Sequence, residues 1–306
     1  MLSIARVSTH DPRSETRRGL GYGIAAYGLW AIIPLFWKLL AHIDPLEVLA
    51  HRVIWGALTF VIIVRFMGVG PELRAAIRER RTLAVMALSG TLLAINWGIF
   101  ILAVSTDRLL DASLGYFINP LVSVALGTIV LHERLRRLQW LAIVTAIAGV
   151  ALLSWQVGGL PWISLILAFS FGSYGLVRKT AKVDSLIGST IESALLVPLA
   201  LAYLTLVAVQ GGGRLGHADA LEHGLLISTG VVTAGPLLLF TSAARRLPLS
   251  TIGFLQYLTP TGQFLLALLL FHEPFTANKL LAFGLIWIAL GVFSVDLWQR
   301  ARANRS

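Results

Sequence analysis

Residues 112–131, ASLGYFINPLVSVALGTIVL, run for twenty positions without one formal charge, and that stretch decides which solvent surrounds the fold. A hydrocarbon core about 30 Å thick is crossed by about 20 apolar residues of α-helix, each rising about 1.5 Å. The run therefore predicts a membrane crossing. Outward from it, the rest of the chain reads the same way. Its 306 residues are 57% hydrophobic and only 13% charged, with mean hydropathy +0.79, against about 25% charged in an ordinary soluble domain. Crossings take up so much of the length that a large extramembrane catalytic unit is disfavoured. The chain has no cysteine, which excludes disulfides, thiolate metal sites, iron–sulfur clusters and cysteine nucleophiles.

Nine further apolar runs accompany the first, at about 19–40, 46–64, 82–104, 138–155, 160–177, 185–209, 224–243, 250–271 and 280–298. Hydropathy alone leaves nine or eleven crossings open, because several runs barely reach 18 residues. Alternating segments of about ten residues, the mark of a transmembrane β-barrel, do not occur. Residues 1–18 are polar and carry four arginines, a composition expected of a disordered tail. The run that follows is longer than the roughly 7–15 residues of a secretory signal core, so it reads as a retained crossing.

A net charge of +10 would point to nucleic acid in a soluble chain. Here the cations fall in short loops between apolar runs, where they orient a membrane protein, and no nucleic-acid partner is expected. With ten crossings, twenty of the 25 Lys and Arg lie on one face, in the two tails and in loops 65–81, 132–137, 178–184 and 245–246. Arg108, Arg214 and Lys279 lie on the other face, and Lys38 and Arg52 fall inside crossings. A wrong count would scramble this split, so ten crossings with both ends cytoplasmic are expected.

The opening run also carries a repeat. Phe117-Ile118-Asn119-Pro120 returns 140 residues later as Tyr257-Leu258-Thr259-Pro260, and His132-Glu133 returns as His272-Glu273. Trp30 and Lys38 match Phe171 and Lys179 at 141, and Gly90 matches Gly230 at 140. Five crossings per copy is an odd number, so the second copy sits upside down. The expected fold is an all-α polytopic membrane protein of ten transmembrane helices in two inverted five-helix repeats, 19–156 and 157–299, with cytoplasmic tails 1–18 and 300–306. Inverted repeats about an axis in the membrane plane suit secondary transporters, since exchanging the conformations of the halves opens one site to either side. Channels also contain inverted duplications.

Ionisable groups inside a crossing are costly and are functional candidates by default. Arg52, beside His51, lies about 9 Å in from the outer end of its helix, and Glu192 lies about 10 Å in from the cytoplasmic end of its own. His51 and Glu192 correspond at an offset of 141. Glu192 is expected to take up and release a coupled proton, and Arg52 to attract an anionic group or to neutralise Glu192 in one conformation. The alternative is a static charge cluster in each half, with Arg52 beside Glu47 or Asp111.

Trp30, Asn96, Trp97, Tyr116, Asn119, Tyr174, Gln256, Tyr257 and Thr259 place hydrogen-bonding groups beside aromatic faces, a lining suited to a small solute of mixed polarity. The buried amides serve helix–helix bonding equally well. Pro120 and Pro260, at matched positions, each remove a helix hydrogen bond and are expected to mark moving gates. Trp140, Trp162 and Trp298 sit near run ends, as interfacial anchors do. The glycines at 19, 21 and 23 follow no strand, so they fit close helix packing better than nucleotide binding. No Gly-x-x-x-x-Gly-Lys-Ser/Thr run, His-Glu-x-x-His pattern or other cofactor or metal motif is present.

Residues 111–121, DASLGYFINPL, together with His51-Arg52-Val53-Ile54-Trp55, Tyr174-Gly175-Leu176-Val177-Arg178-Lys179 and Gly253-Phe254-Leu255-Gln256-Tyr257, resemble the RarD branch of the EamA-type transporters in the drug/metabolite transporter superfamily. The resemblance extends over nearly the whole chain. It implies a bacterial inner-membrane permease for small metabolites or drugs, with ten helices around a central cavity and the lipid bilayer as its setting. Related sequences often carry Glu where this one has Asp111. The leading reading is a secondary transporter, not an enzyme; an intramembrane enzyme would need converging catalytic groups near one interface, and a receptor a larger output surface. Cargo, direction, coupling ion and oligomeric state are not specified by these features.

Overall fold

A computed structural model describes residues 12–131, 137–157, 159–214, 219–244, 246–247 and 255–303. Every regular element among them is helical: α1 (Pro12–Leu39), α2 (Pro45–Met67), α3 (Gly70–Arg78), α4 (Arg80–Ser105), α5 (Leu109–Leu131), α6 (Arg137–Val157), α7 (Trp162–Thr180), α8 (Ser185–Val209), α9 (Ala220–Ala244), α10 (Leu258–Leu269) and α11 (Ala277–Ala303). Seven of these are long and apolar enough to cross a membrane, and α7 and α10 contain shorter apolar segments. The chain is a multi-pass membrane protein.

Local signals set several helix boundaries. Asp44 accepts hydrogen bonds from the amides of Leu46 and Glu47, with Pro45 opening α2, and Asp184, 140 residues later, accepts one from Leu186 to open α8. A short polar side chain in this position satisfies amides that have no partner within the helix. Two segments differ from the sequence reading. The loop expected at 65–81 contains α3, a nine-residue helix with no buried residue; Pro71 and the helix-forming Ala, Glu and Arg residues favour it, and its polarity keeps it at the surface. Residues 12–18, expected in a disordered tail, extend α1. Glu15 in its first turn favours the helix dipole and pairs with Arg18 and Arg246. The remainder of that tail, His132-Glu133 and Gly253-Phe254 lie outside the described residues.

The burial pattern is that of a protein surrounded by lipid. Leu199, Val209, Val231 and Ile147 are largely exposed, whereas Glu192, Asn96, Gln263, Ser113 and Thr229 are buried. Polar groups gather inside because each needs a partner that hydrocarbon cannot supply. Trp140 and Trp162 are exposed near helix starts, where an amphipathic ring suits the interface; the Trp298 side chain lies outside the described residues. Gly19 and Gly23 let α1 approach the segment after α9, since a Cβ at Gly19 would lie 2.8 Å from Arg246 Cβ and one at Gly23 2.6 Å from a Leu255 methyl. Gly21, between them, faces open space.

Helix starts recur at an offset of 140: Pro45 and Ser185, Arg80 and Ala220, Arg137 and Ala277. The most extensive packings recur with them. α1 lies on α9 as α7 lies on α4, α2 on α9 as α8 on α4, and α5 on α7 as α10 on α1; α2 with α8, α5 with α10 and α6 with α11 are pairs of counterparts. Two of those pairs have an observed direction. The Gln139 amide, at the start of α6, donates to Asp296 near the end of α11 at 2.9 Å. At the start of α2, Glu47 accepts the Arg214 amide beyond the end of α8 at 2.6 Å. Both pairs of counterparts run antiparallel.

Candidate functional site

Arg52 is the eighth residue of α2, and Glu192 is the eighth of α8. Counted from the helix starts, Glu192 corresponds to Arg52 at an offset of 140, one residue from the His51 correspondence read from sequence. Equivalent positions in two antiparallel helices carry opposite, buried charges: Arg52 is 7% exposed and Glu192 1%.

The two charges are not brought together. The Arg52 guanidinium packs against two indoles, with its carbon 4.1 Å from the Trp97 ring centre and 4.8 Å from that of Trp37. Such stacking on a ring's negative face holds a cation away from water. Its Nε is buried with no hydrogen-bond partner, as is His51 Nε2. The carboxylates considered from sequence are engaged elsewhere. Glu47 accepts from the Arg214 backbone, Asp111 pairs with Arg108 at 2.7 Å, and Glu192 pairs with Arg178 at 3.5 Å.

Next to Arg52, a polar–aromatic network ties α4, α5 and α7 together. The Asn96 amide donates to the Leu167 carbonyl and to Ser170 Oγ, both at 3.1 Å, and its oxygen accepts the Tyr116 hydroxyl at 3.1 Å. Asn96 is thereby occupied within the protein and orients Tyr116, whose hydroxyl lies within electrostatic range of Arg52. Rings continue from Phe100 to Tyr116, Phe171 and Tyr174, with successive centres 5.8, 6.2 and 5.7 Å apart. Trp97, Tyr116, Phe171 and Tyr174 each keep part of their surface open.

The far end of this ladder reaches the acidic half-site. Tyr174 lies within electrostatic range of Glu192 and Arg178. Ser89 Oγ donates to Glu192 Oε1 at 2.6 Å, while Oε2 is buried with no partner. Arg178 also donates to the Ser185 carbonyl at 3.3 Å. Its guanidinium fits because residue 188 is glycine; a Cβ there would collide with it. Gly90 brings α4 against the Glu192 backbone, where a Cβ would lie 3.2 Å from the carbonyl oxygen.

The remaining candidates lie on α1, on α5 and around the start of α10. Trp30 packs against Tyr27 and Phe240, at 5.5 and 5.8 Å between ring centres, and its carbonyl accepts the Gln263 amide at 3.2 Å. Thr259 donates to the Tyr27 carbonyl at 3.0 Å, and Tyr257 is half-buried just before α10. Gln256 is half-buried in the turn before α10, and Asn119 is buried with its oxygen unpartnered. Pro120 interrupts the middle of α5, but Pro260 falls in the first turn of α10. A first-turn proline lacks only an N–H that would have no helical acceptor, so the expected pair of matched broken hydrogen bonds is not present. The Pro260 carbonyl instead accepts Ser113 Oγ at 2.8 Å.

Sequence reading missed Trp37, Arg178, Ser89 and Gln263. Arg178 was assigned to a cytoplasmic loop, yet it lies four residues after Tyr174, on the same helix face. Glu273, read as a helix-end feature, accepts the amides of Leu109 and Leu110 at 2.7 and 2.9 Å and so caps α5 from another part of the chain. Among the described residues, no three His, Asp or Glu side chains are grouped to hold a metal ion.

Comparison with known proteins places this geometry in context. Residues 17–155 match the model of the EamA-like transporter family. The chain is 44% identical to an uncharacterized transporter of Pseudomonas aeruginosa over 94% of this chain and 97% of that protein. It is also 44% identical to protein RarD of Escherichia coli K12 over 95% of this chain and 99% of that protein. A solved crystal structure superposes with a TM-score of 0.56 over 92% of this chain and 96% of its own, at 18% identity, a likeness of fold alone.

Proposed function

The chain belongs to the EamA-like transporter family, in its RarD group, and on that premise we propose that it carries small, partly apolar solutes across a bacterial inner membrane by alternating access to one central site. The observation that carries the reading is the packing of counterpart helices. They are antiparallel where their direction is observed, and their contacts recur when the halves are exchanged. This supports ten crossings in two inverted repeats, 19–156 and 157–299. In such a pair, each half can adopt the other's conformation, which moves the opening from one face to the other.

The site lies along the aromatic ladder between Arg52 and Glu192. Trp97, Tyr116 and Tyr174 present open surface to the solute, while Asn96 fixes Tyr116. Trp30, Gln256, Tyr257 and Thr259 form the α1–α10 wall, Asn119 on α5 faces Gly172 of α7, and Pro120 and the α10 start are the moving parts. Side-chain ties link separate segments on each face: Lys38 with Asp107 and His42 with Glu222 on the outer face, Arg178 with Glu192 and Arg246 with Glu15 on the inner. Both sets are formed together in this structure, and alternating access releases one while the other is kept.

Proton coupling follows from Glu192. As a carboxylate it holds Arg178; once protonated it no longer attracts the guanidinium, and the inner tie loosens. Both termini and the cationic loops face the cytoplasm. Flux of radiolabelled metabolites into proteoliposomes, with and without a pH gradient, tests the function. Saturable uptake that responds to the gradient is expected; ohmic current or the absence of flux across a broad panel would overturn it. The native chain has no cysteine, so single substitutions Arg74→Cys and Asp107→Cys test the orientation. Labelling of both from the same side of intact cells would refute the topology.

A further inference from the structure

A guanidinium inside a membrane protein needs a counter-charge, because desolvation of a lone ion is costly. Among the described residues, no carboxylate lies within ion-pair distance of Arg52, and Glu47, Asp111 and Glu192 are engaged elsewhere. The acidic counterpart position is compensated, since Glu192 has Arg178. The basic position is left open.

The surroundings of Arg52 narrow what can complete it. The guanidinium carbon lies 4.8 Å from the Trp37 ring centre and 4.1 Å from that of Trp97, so aromatic faces take up much of its surroundings, and among its N–H donors the buried Nε is unpartnered. An edge of parallel N–H groups matches a planar acceptor with two oxygens, the geometry of a carboxylate. Tyr116 lies within electrostatic range of Arg52 and belongs to the Phe100–Tyr116–Phe171–Tyr174 ladder. Those rings offer an apolar, edge-on surface to the remainder of a ligand.

We propose that Arg52, boxed by Trp37 and Trp97, is the anion-binding end of the central site, and that the solute class is small organic carboxylates with an aromatic or apolar body. The proposal rests on the transport reading above and adds the chemistry of the cargo. The solute supplies the counter-ion that the protein lacks, so that binding removes the penalty of an uncompensated cation. A neutral isostere of the same shape leaves that penalty in place.

The test uses 3-phenylpropanoate and 3-(indol-3-yl)propanoate against their primary amides, as ligands of the purified full chain in detergent and as labelled solutes in proteoliposomes. Both acids are expected to raise the apparent Tm in a saturable way, and the amides to bind at least about tenfold more weakly, the loss of a charge-assisted pair. Arg52→Gln is expected to abolish the difference between acid and amide, and Arg52→Lys, which keeps charge but not the planar fork, to retain only part of it. Equal stabilisation by acid and amide, stabilisation by neither, or an unchanged preference in Arg52→Gln would each overturn the proposal. Should Arg52→Gln fail to fold, the acid–amide contrast in the unaltered chain still decides. Acid binding without flux would leave the anion site standing and overturn the transport reading. Saturable flux of the amides with no preference for the acids would do the reverse.

Discussion

Substitution of Arg178 by Met, combined with Glu192→Gln in a double-mutant cycle, tests how far the acidic half-site depends on its internal cation. Arg178 Nη1 lies 3.5 Å from Glu192 Oε1, an attraction of roughly 5 kcal/mol at an effective dielectric near 20, before desolvation is subtracted. Without Arg178, Glu192 keeps Ser89 as its donor on one oxygen and no partner on the other. Removing one member of a buried pair costs about 3–5 kcal/mol, because the survivor stays charged and uncompensated. Arg178→Met is therefore expected to lose about 3 kcal/mol or more. Glu192→Gln leaves a cation whose side chain is 14% exposed at the end of α7, able to turn toward water, and is expected to cost about 1–2 kcal/mol. The double substitution removes both charges and should lie close to Glu192→Gln alone, so the coupling equals the Arg178→Met loss, about 3–5 kcal/mol. Equilibrium unfolding in mixed micelles, followed by circular dichroism as denaturing detergent is raised, measures all three variants. The reasoning is refuted if Arg178→Met stays within about 1 kcal/mol of the unaltered protein, or if the two losses simply add.

Three other perturbations follow from the same geometry. Asn96→Leu keeps the branching of the side chain but leaves the Tyr116 hydroxyl without its acceptor, and is expected to lower stability by about 1–3 kcal/mol in the same unfolding measurement; an unaltered midpoint would mean the network does not hold Tyr116. Glu273→Ala deprives the Leu109 and Leu110 amides of their acceptor and removes a negative charge from the start of α5, for an expected loss of about 1–3 kcal/mol. Gly115→Val places a Cβ 2.7 Å from the Ser164 carbonyl oxygen and should abolish the monodisperse peak in size-exclusion chromatography, whereas Gly21→Ala, facing open space, should elute like the parent; equal behaviour of the two would contradict the α5–α7 packing.

Much of this architecture was legible in the linear chain because its causes are local or periodic. Length and apolarity announce a crossing wherever they occur, as in 185–209, which coincides with α8. The N-terminal Asp residues at 44 and 184 act on amides two or three positions away. The offset of 140 could be read from short runs such as 117–120 and 257–260, and the helix starts recur at that spacing. Opposite charges on α2 and α8 could also be recognised, since a lone ionisable residue stands out in an apolar run.

The chain order did not contain the partners of those charges. Arg178 looked like one more loop cation, and Arg52 like a neighbour of Glu47, Asp111 or Glu192. An ion pair forms between whichever helices pack together: α7 and α8 meet α4 and place Arg178 on Glu192, while the end of α1 and the middle of α4 place two indoles, not a carboxylate, on Arg52. Hydropathy and end-capping are sums over residues near in sequence, so one strand of text suffices to read them. Charge compensation depends on distance in space between residues far apart in the chain, such as the 66 positions between Lys38 and the Val104 carbonyl it reaches, and only the folded bundle sets that distance.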